Sequence, residues 1–360
     1  MRRSHAALIG LGWVAGCASA HAVGGWSAAV RAPIELSQAC LDEIADAVDQ
    51  VPKRLECTGL YDRLAQFKLA KGVDLFEPTY PLWSDASVKT RWIYLPKGTS
   101  IDAEKPDNWG FPVGTRLWKE FRNPAGTKRL ETRFFVKNGE DDWAHTSYVW
   151  NDDETQATQA NQGKDMMVDG KEYHVPNHTQ CNECHNGRRE RVLGFDQVVL
   201  GIPNPSSEEH ITLADLVKQK RLKNFKSDSM EYQVGPDANS VEAQALGWMH
   251  NNCGVSCHNS NVTSKAYSNG MRLLLHPGEL DGRPLTDIDS VKTTVDKDVF
   301  AMRWKGSKRV VTGNPDESLL YKLITQRGDP MQQMPPLGTN EVDTKYTDFV
   351  KEWIISLGKQ

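Results

Sequence analysis

Two short stretches constrain this chain more than any other feature. In Cys181-Asn182-Glu183-Cys184-His185 two cysteines stand three positions apart, with a histidine directly after the second. On a helix that spacing puts both sulfurs on one turn with the imidazole beside them. This is the pattern that attaches a c-type heme, the thiols bonding the two vinyl groups and the histidine ligating iron. A Cys-x-x-Cys pair by itself also fits a zinc knuckle or a redox dithiol, and the histidine favours heme over both. A second, longer version follows at Cys253-Gly254-Val255-Ser256-Cys257-His258. Its extra residue must bulge from the turn, which Gly254 and Ser256 make sterically easy, and a disulfide or metal site is the competing reading. Two covalently bound heme c groups are therefore expected, held by Cys181, Cys184 and His185 and by Cys253, Cys257 and His258.

The start of the chain agrees with that chemistry. Arg2 and Arg3 precede an apolar run from Ala6 to Val14, and Val14-Ala15-Gly16-Cys17 reads as a lipobox. Residues 1–17 are thus expected to be a lipoprotein signal peptide, with Cys17 as the lipid anchor; cleavage near Ala20 or Ala22 is the alternative. The expected location is the periplasm or outer membrane of a bacterium, with membrane attachment by lipid only. Of seven cysteines, Cys40 and Cys57 remain once the lipid and heme positions are set aside. Their expected disulfide suits an oxidising compartment.

The sequence has 360 residues, 39% hydrophobic and 25% charged, enough for two or three cored domains. Loss of the leader's two arginines takes the formal charge from −4 to about −6, which argues against a nucleic-acid partner. A redox partner protein or a small electron donor or acceptor is expected instead.

The expected fold class is α+β and multidomain, a β-rich domain followed by mainly helical heme regions. The divisions are residues 18–78, 79–178, 179–240 with the first heme and 241–360 with the second. Leu41, Ile44 and Val48 predict one helix within Pro33 to Val51. Strands are predicted at Arg91 to Leu95, Thr115 to Phe121, Glu131 to Val136 and His145 to Trp150. The tryptophans at 83, 92, 109, 118, 143 and 150 read as packing, with a ligand groove as the other option. Asp152, Asp153 and Glu154 lack calcium-ligand spacing and read as a solvated turn. Arg188, Arg189 and Arg191 are candidate partners for heme propionates or a plain basic cluster, and Val192 to Leu200 is predicted to be extended. Further helices are predicted at Ile211 to Leu222, Val241 to Asn252, from Asn314-Pro315 onward and at Thr344 to Leu357.

The region from about Val241 resembles a class I cytochrome c domain. That resemblance implies Met334, in Met334-Pro335-Pro336-Leu337-Gly338, as the sixth ligand opposite His258. The larger pattern resembles a group of little-characterised bacterial envelope proteins that join a β-rich half to two heme-attachment sites. It is carried by Tyr80-Pro81-Leu82-Trp83-Ser84-Asp85, Trp92 to Thr99, Phe111 to Thr115, Glu131-Thr132-Arg133, Tyr148-Val149-Trp150 and Val192 to Phe195. The departure is the longer spacing from Cys253 to Cys257.

For the first heme, His174, His178, His210, Met166, Met167 and Met230 are the candidate sixth ligands. The leading functional expectation is electron transfer in the cell envelope. The alternatives are a diheme peroxidase-like oxidoreductase with an open first heme, or a ligand-binding envelope protein with redox-active hemes.

Overall fold

The computed structural model describes residues 36–45, 47, 50–204, 209–280 and 282–359. The expected signal peptide and Cys17 anchor lie outside the described residues. The chain from Arg31 onward forms one compact unit. It is mixed α and β, with 28% helix and 21% strand.

Helix α1 (Gln38–Ala45) is followed by a small ribbon of β1 (Tyr61–Arg63) and β2 (Lys68–Leu69). Then come β3 (Val73–Phe76), β4 (Val88–Tyr94), β5 (Ile101–Asp102), β6 (Arg116–Arg122), β7 (Arg129–Lys137), β8 (Trp143–Trp150) and β9 (Ala157–Gln159). All of these except β5 form one antiparallel sheet in the order β3-β4-β6-β7-β8-β9. The four predicted strands fall in β4, β6, β7 and β8, because alternating aromatic and β-branched residues suit a sheet buried on both faces.

One face carries Trp92, Tyr94, Trp118, Phe134, Tyr148 and Trp150, packed on Leu55 and Leu60. Their polar ends are satisfied: Trp118 Nε1 donates to Thr58 Oγ1 at 2.9 Å and Tyr148 donates to the Pro52 carbonyl at 2.7 Å. Of the six tryptophans all but Trp83 are buried, so packing is their main role. Cys40 and Cys57 form a disulfide, with Cα atoms 5.0 Å apart, that ties α1 to this side of the sheet. The acidic turn pairs with its neighbours, Arg129 with Glu154 at 2.6 Å and Lys128 with Asp152 at 2.8 Å.

After the hairpin of β10 (Lys164–Val168) and β11 (Lys171–Val175) the chain turns mainly helical. Its helices are α2 (His178–His185), α3 (Gln197–Gly201), α4 (Leu213–Lys218), α5 (Val241–Met249), α6 (Asp289–Lys292), α7 (Leu319–Ile324) and α8 (Thr344–Leu357). The two-residue β12 (Leu222–Lys223) runs parallel to β5. Helices α5 and α8 pack together, with the Trp248 and Tyr346 rings stacked at 6.2 Å. Trp248 Nε1 donates to Asp343 at 2.9 Å, and Asp343 also caps α8. The core joining these helices to the sheet's second face includes Ile93, Phe135, Phe195, Leu246, Val350 and Trp353. It runs without a break past residues 178 and 240.

Four local expectations change. The helix predicted at Ile211 to Leu222 covers only Leu213–Lys218, and Leu222 lies in β12. Helix α1 is shorter than the Pro33 to Val51 periodicity predicts, since Leu41 is 47% exposed and Cys40 is the residue it buries. The run from Val192 to Leu200 is not a strand: Asp196 accepts from the Val199 N–H at 3.0 Å and starts α3. Asn314-Pro315 opens only a 3₁₀ turn, and α7 begins at Leu319, after Ser318 in extended backbone.

Candidate functional site

Both cysteine stretches are helical, and each turn has its own support. Helix α2 begins with a reciprocal cap, in which Asn177 accepts from the Gln180 N–H and the Gln180 side chain accepts from the Asn177 N–H, each at 2.9 Å. Cys181 and Cys184 therefore lie one turn apart, with His185 closing the helix. His185 Nδ1 donates to the Arg191 carbonyl at 2.6 Å. That bond leaves Nε2 with the lone pair, the arrangement of a metal-ligating imidazole. Burial pushes the His185 pKa down to about 3, so the ring is neutral. It stacks on Phe135 at 4.4 Å, Phe135 on His145 at 4.8 Å, and His145 on His178 at 4.0 Å.

The longer stretch absorbs its extra residue in a π-helical turn, His250–Gly254, at the end of α5. The Val255 N–H reaches the His250 carbonyl at 2.9 Å and the His258 N–H reaches the Cys253 carbonyl at 2.8 Å, each spanning five residues. The Cys257 N–H meets the Cys253 carbonyl at 3.1 Å, so the two cysteines are i and i+4 on one turn. Gly254 has a different role from the one expected. A Cβ there would come within 2.4 Å of the Leu273 carbonyl, so glycine lets residues 273 and 274 lie against the turn. Burial lowers the His258 pKa to about 4, with Arg309 and Arg272 adding to the effect.

Cys181, Cys184, His185, Cys253, Cys257 and His258 all line one cavity of about 510 Å³, as does Met334. The turns also touch. A Cβ on Gly187 would fall 1.7 Å from the Ser256 carbonyl oxygen. Lys265 pairs with Glu183 at 2.7 Å, and Thr263 Oγ1 donates to the Asn186 carbonyl at 2.6 Å.

Burial raises the pKa of all four thiols, Cys184 to about 11 and Cys253 to about 12, with Cys181 and Cys257 raised as well, so without a bound group they are neutral. Among the described residues no three or more His, Cys, Asp or Glu gather as a directly chelated ion requires.

Met334 is held by its backbone: its N–H donates to the Leu323 carbonyl at 2.9 Å and its own carbonyl accepts from Arg327 at 3.3 Å. Of the candidate sixth ligands for the first heme, His174 reaches the cavity, with its ring nitrogens on Asp165 at 2.5 Å and Gln180 at 2.9 Å. His178, His210, Met166, Met167 and Met230 are not among the lining residues, and Met167 is 71% exposed. The arginines after the first stretch also point their bonds elsewhere. Arg188 pairs with buried Asp196 at 3.2 Å, Arg189 with exposed Asp141 at 2.6 Å, and Arg191 donates to Asn182 at 3.1 Å.

Trp83, the one of the six tryptophans that is not buried, takes the groove option, and the lining to which sequence reasoning gave no site role is Lys119, Arg133 and Tyr173. Trp83 is strapped there by the Asn252 side chain, which accepts its N–H at 2.7 Å, and by the Glu341 carbonyl, which accepts from Nε1 at 2.8 Å. Lys119 and Arg133 gave no distinct signal, because β6 and β7 carry further charged residues at Arg116, Glu120, Arg122, Arg129, Glu131 and Lys137. Comparison with family models, with curated proteins and with solved structures finds no match.

Proposed function

We propose that this chain is an exported diheme c-type cytochrome that transfers electrons in the cell envelope. The observation that supports it most is the convergence of both cysteine pairs, both histidines and Met334 on one cavity. Cys181 and Cys184 would hold the first heme and Cys253 and Cys257 the second, with His185, His258 and Met334 as iron ligands. A bound heme c supplies one-electron redox chemistry at its iron. The protein's part is to keep the imidazoles neutral, to fix the His185 tautomer through Arg191, and to surround Met334 with Leu319, Leu320, Leu323 and Ile324. The contact of Gly187 with Ser256 would hold the two centres close, as electron passage between them requires.

The order α5, attachment turn, α7, Met334 loop and α8, with α5 packed on α8, supports this reading. The Cys40–Cys57 disulfide agrees with an oxidising compartment. No helix among the described residues is long and apolar enough to cross a membrane, which is compatible with attachment by lipid alone. A peroxidase-like first heme is the second reading, favoured by the His174 nitrogens being engaged and the other proposed ligands lying off the cavity.

Intact mass of the denatured, envelope-purified protein tests the main reading. Two covalent hemes are expected. One would restrict the assignment to a single stretch, and none would remove it. Cyanide binding to the oxidised protein would move the first heme to the peroxidase-like reading.

A further inference from the structure

The sheet carries an unusual row of charge on the face turned toward α2. Register puts Arg91 of β4 opposite Lys119 of β6, and Lys119 opposite Arg133 of β7. These positions share the face of Ile93 and Phe135, which pack in the core. Lys89 stands one step away, opposite Phe121. Like charges directly across strands repel, and burial strengthens the repulsion.

The protein offsets this row in part: Lys119 and Arg133 lie over the Phe121 ring at 4.9 and 4.2 Å, and Asp343 and Asp85 act on Lys89 from a distance. Arg133 is paired with Glu131 through two bonds, 3.0 and 2.7 Å, and the Tyr173 hydroxyl donates to the same carboxylate at 2.8 Å. Glu131 therefore already accepts three hydrogen bonds. Lys89 donates only to the Ser87 carbonyl at 2.8 Å. Among the described residues Lys119 and Arg91 make no ion pair; the carboxylates that act on them from a distance are Glu131 and Glu77. Lys119 and Arg133 line the cavity together with Cys181, Cys184 and His185. Lys119 is half-buried, and desolvation together with Arg91, Arg133 and Lys89 holds its pKa well below the ordinary lysine value, a penalty on the charged form that an anion in the cavity would relieve.

We propose that Lys119 and Arg133, backed by Lys89 and Arg91, form a carboxylate-binding site beside the first cysteine turn. The neighbouring wall of Leu82, Trp83 and Leu193 is apolar. One unpaired ammonium beside such a wall suits a monoanion with an apolar body. A carboxylate of that kind has two sources, a propionate arm of the group held by Cys181 and Cys184, or a free small carboxylate. The first source rests on the heme reading; the second does not.

The test uses the purified full chain with Lys119→Met, Lys119→Gln and the charge-keeping Lys119→Arg. Thermal midpoints are recorded against sodium propionate, with sodium chloride at matched ionic strength, and the potential of the first heme is titrated. For a free carboxylate, propionate raises the wild-type midpoint saturably, Lys119→Met and Lys119→Gln weaken its apparent affinity at least tenfold, and Lys119→Arg retains it. For a propionate arm, added propionate does nothing. Charge removal then lowers the first heme's potential, because a cation lost beside the iron no longer disfavours the ferric state, and Lys119→Arg restores it. The proposal is overturned if both neutral variants leave potential and propionate response unchanged. Absence of heme by intact mass would strike the heme reading and leave the propionate titration to decide the site.

Discussion

At the scale of single residues, burial sets the protonation state of the imidazoles. His250 is 1% exposed, its Nδ1 accepts the Leu275 N–H at 2.9 Å, and burial lowers its pKa from 6.5 to about 4. Between those values the unfolded chain takes up a proton that the folded chain refuses. The contribution is fully present above pH 6.5 and is lost as pH falls toward 4, about 3 kcal/mol in all. His185 and His258 shift the same way. Urea unfolding at pH 7 and pH 4.5 should show this loss, and His250→Asn, which keeps an acceptor and cannot charge, should show a smaller one. An equal slope in both proteins would discard His250 as a source. For Met334 the expected effect is on a potential. A thioether on iron favours the reduced state, so Met334→Ala should lower one heme's potential and open it to added ligands while the other heme titrates unchanged. An unchanged redox titration would mean that Met334 only packs.

At the scale of elements, contact between the two cysteine turns is the feature with the sharpest consequence. Gly187 has no room for a methyl group, since the Ser256 carbonyl oxygen would lie 1.7 Å from it and backbone cannot swing aside as a side chain can. Gly187→Ala should push α2 from the second turn at a cost of roughly 1–3 kcal/mol, the usual range for overpacking. Denaturant unfolding at constant heme content measures it, and wild-type stability in the variant would show that the turns part easily. Elements differ in how far their sequence foretold them. Helix α8 covers Thr344–Leu357 as its periodicity predicts, because Trp353 and Ile354 recur on the buried face and Asp343 caps the start. The central strands were equally legible, as runs rich in Trp, Tyr, Phe and Val separated by Pro, Gly and Asn. Val192 to Leu200 was not, since an apolar run reads alike as strand or buried helix until Asp196 is seen to cap.

At the scale of the whole molecule, what the sequence by itself determined is what depends on neighbours along the chain. Cysteines and histidine on one turn, the aromatic-rich strands and the closing helix all follow from residues close together along the chain. The pairing of Cys40 with Cys57 was legible for another reason, that the other five cysteines already had expected places. Tertiary structure alone decided the rest. That residues 181–185 and 253–258 share one cavity, that Gly187 meets Ser256, and that Arg91, Lys119 and Arg133 stand in a row facing α2 are contacts between segments far apart in sequence. Such contacts are set by sheet register and by the core that joins Ile93 to Trp353, and chain closure over those distances leaves no local pattern to read.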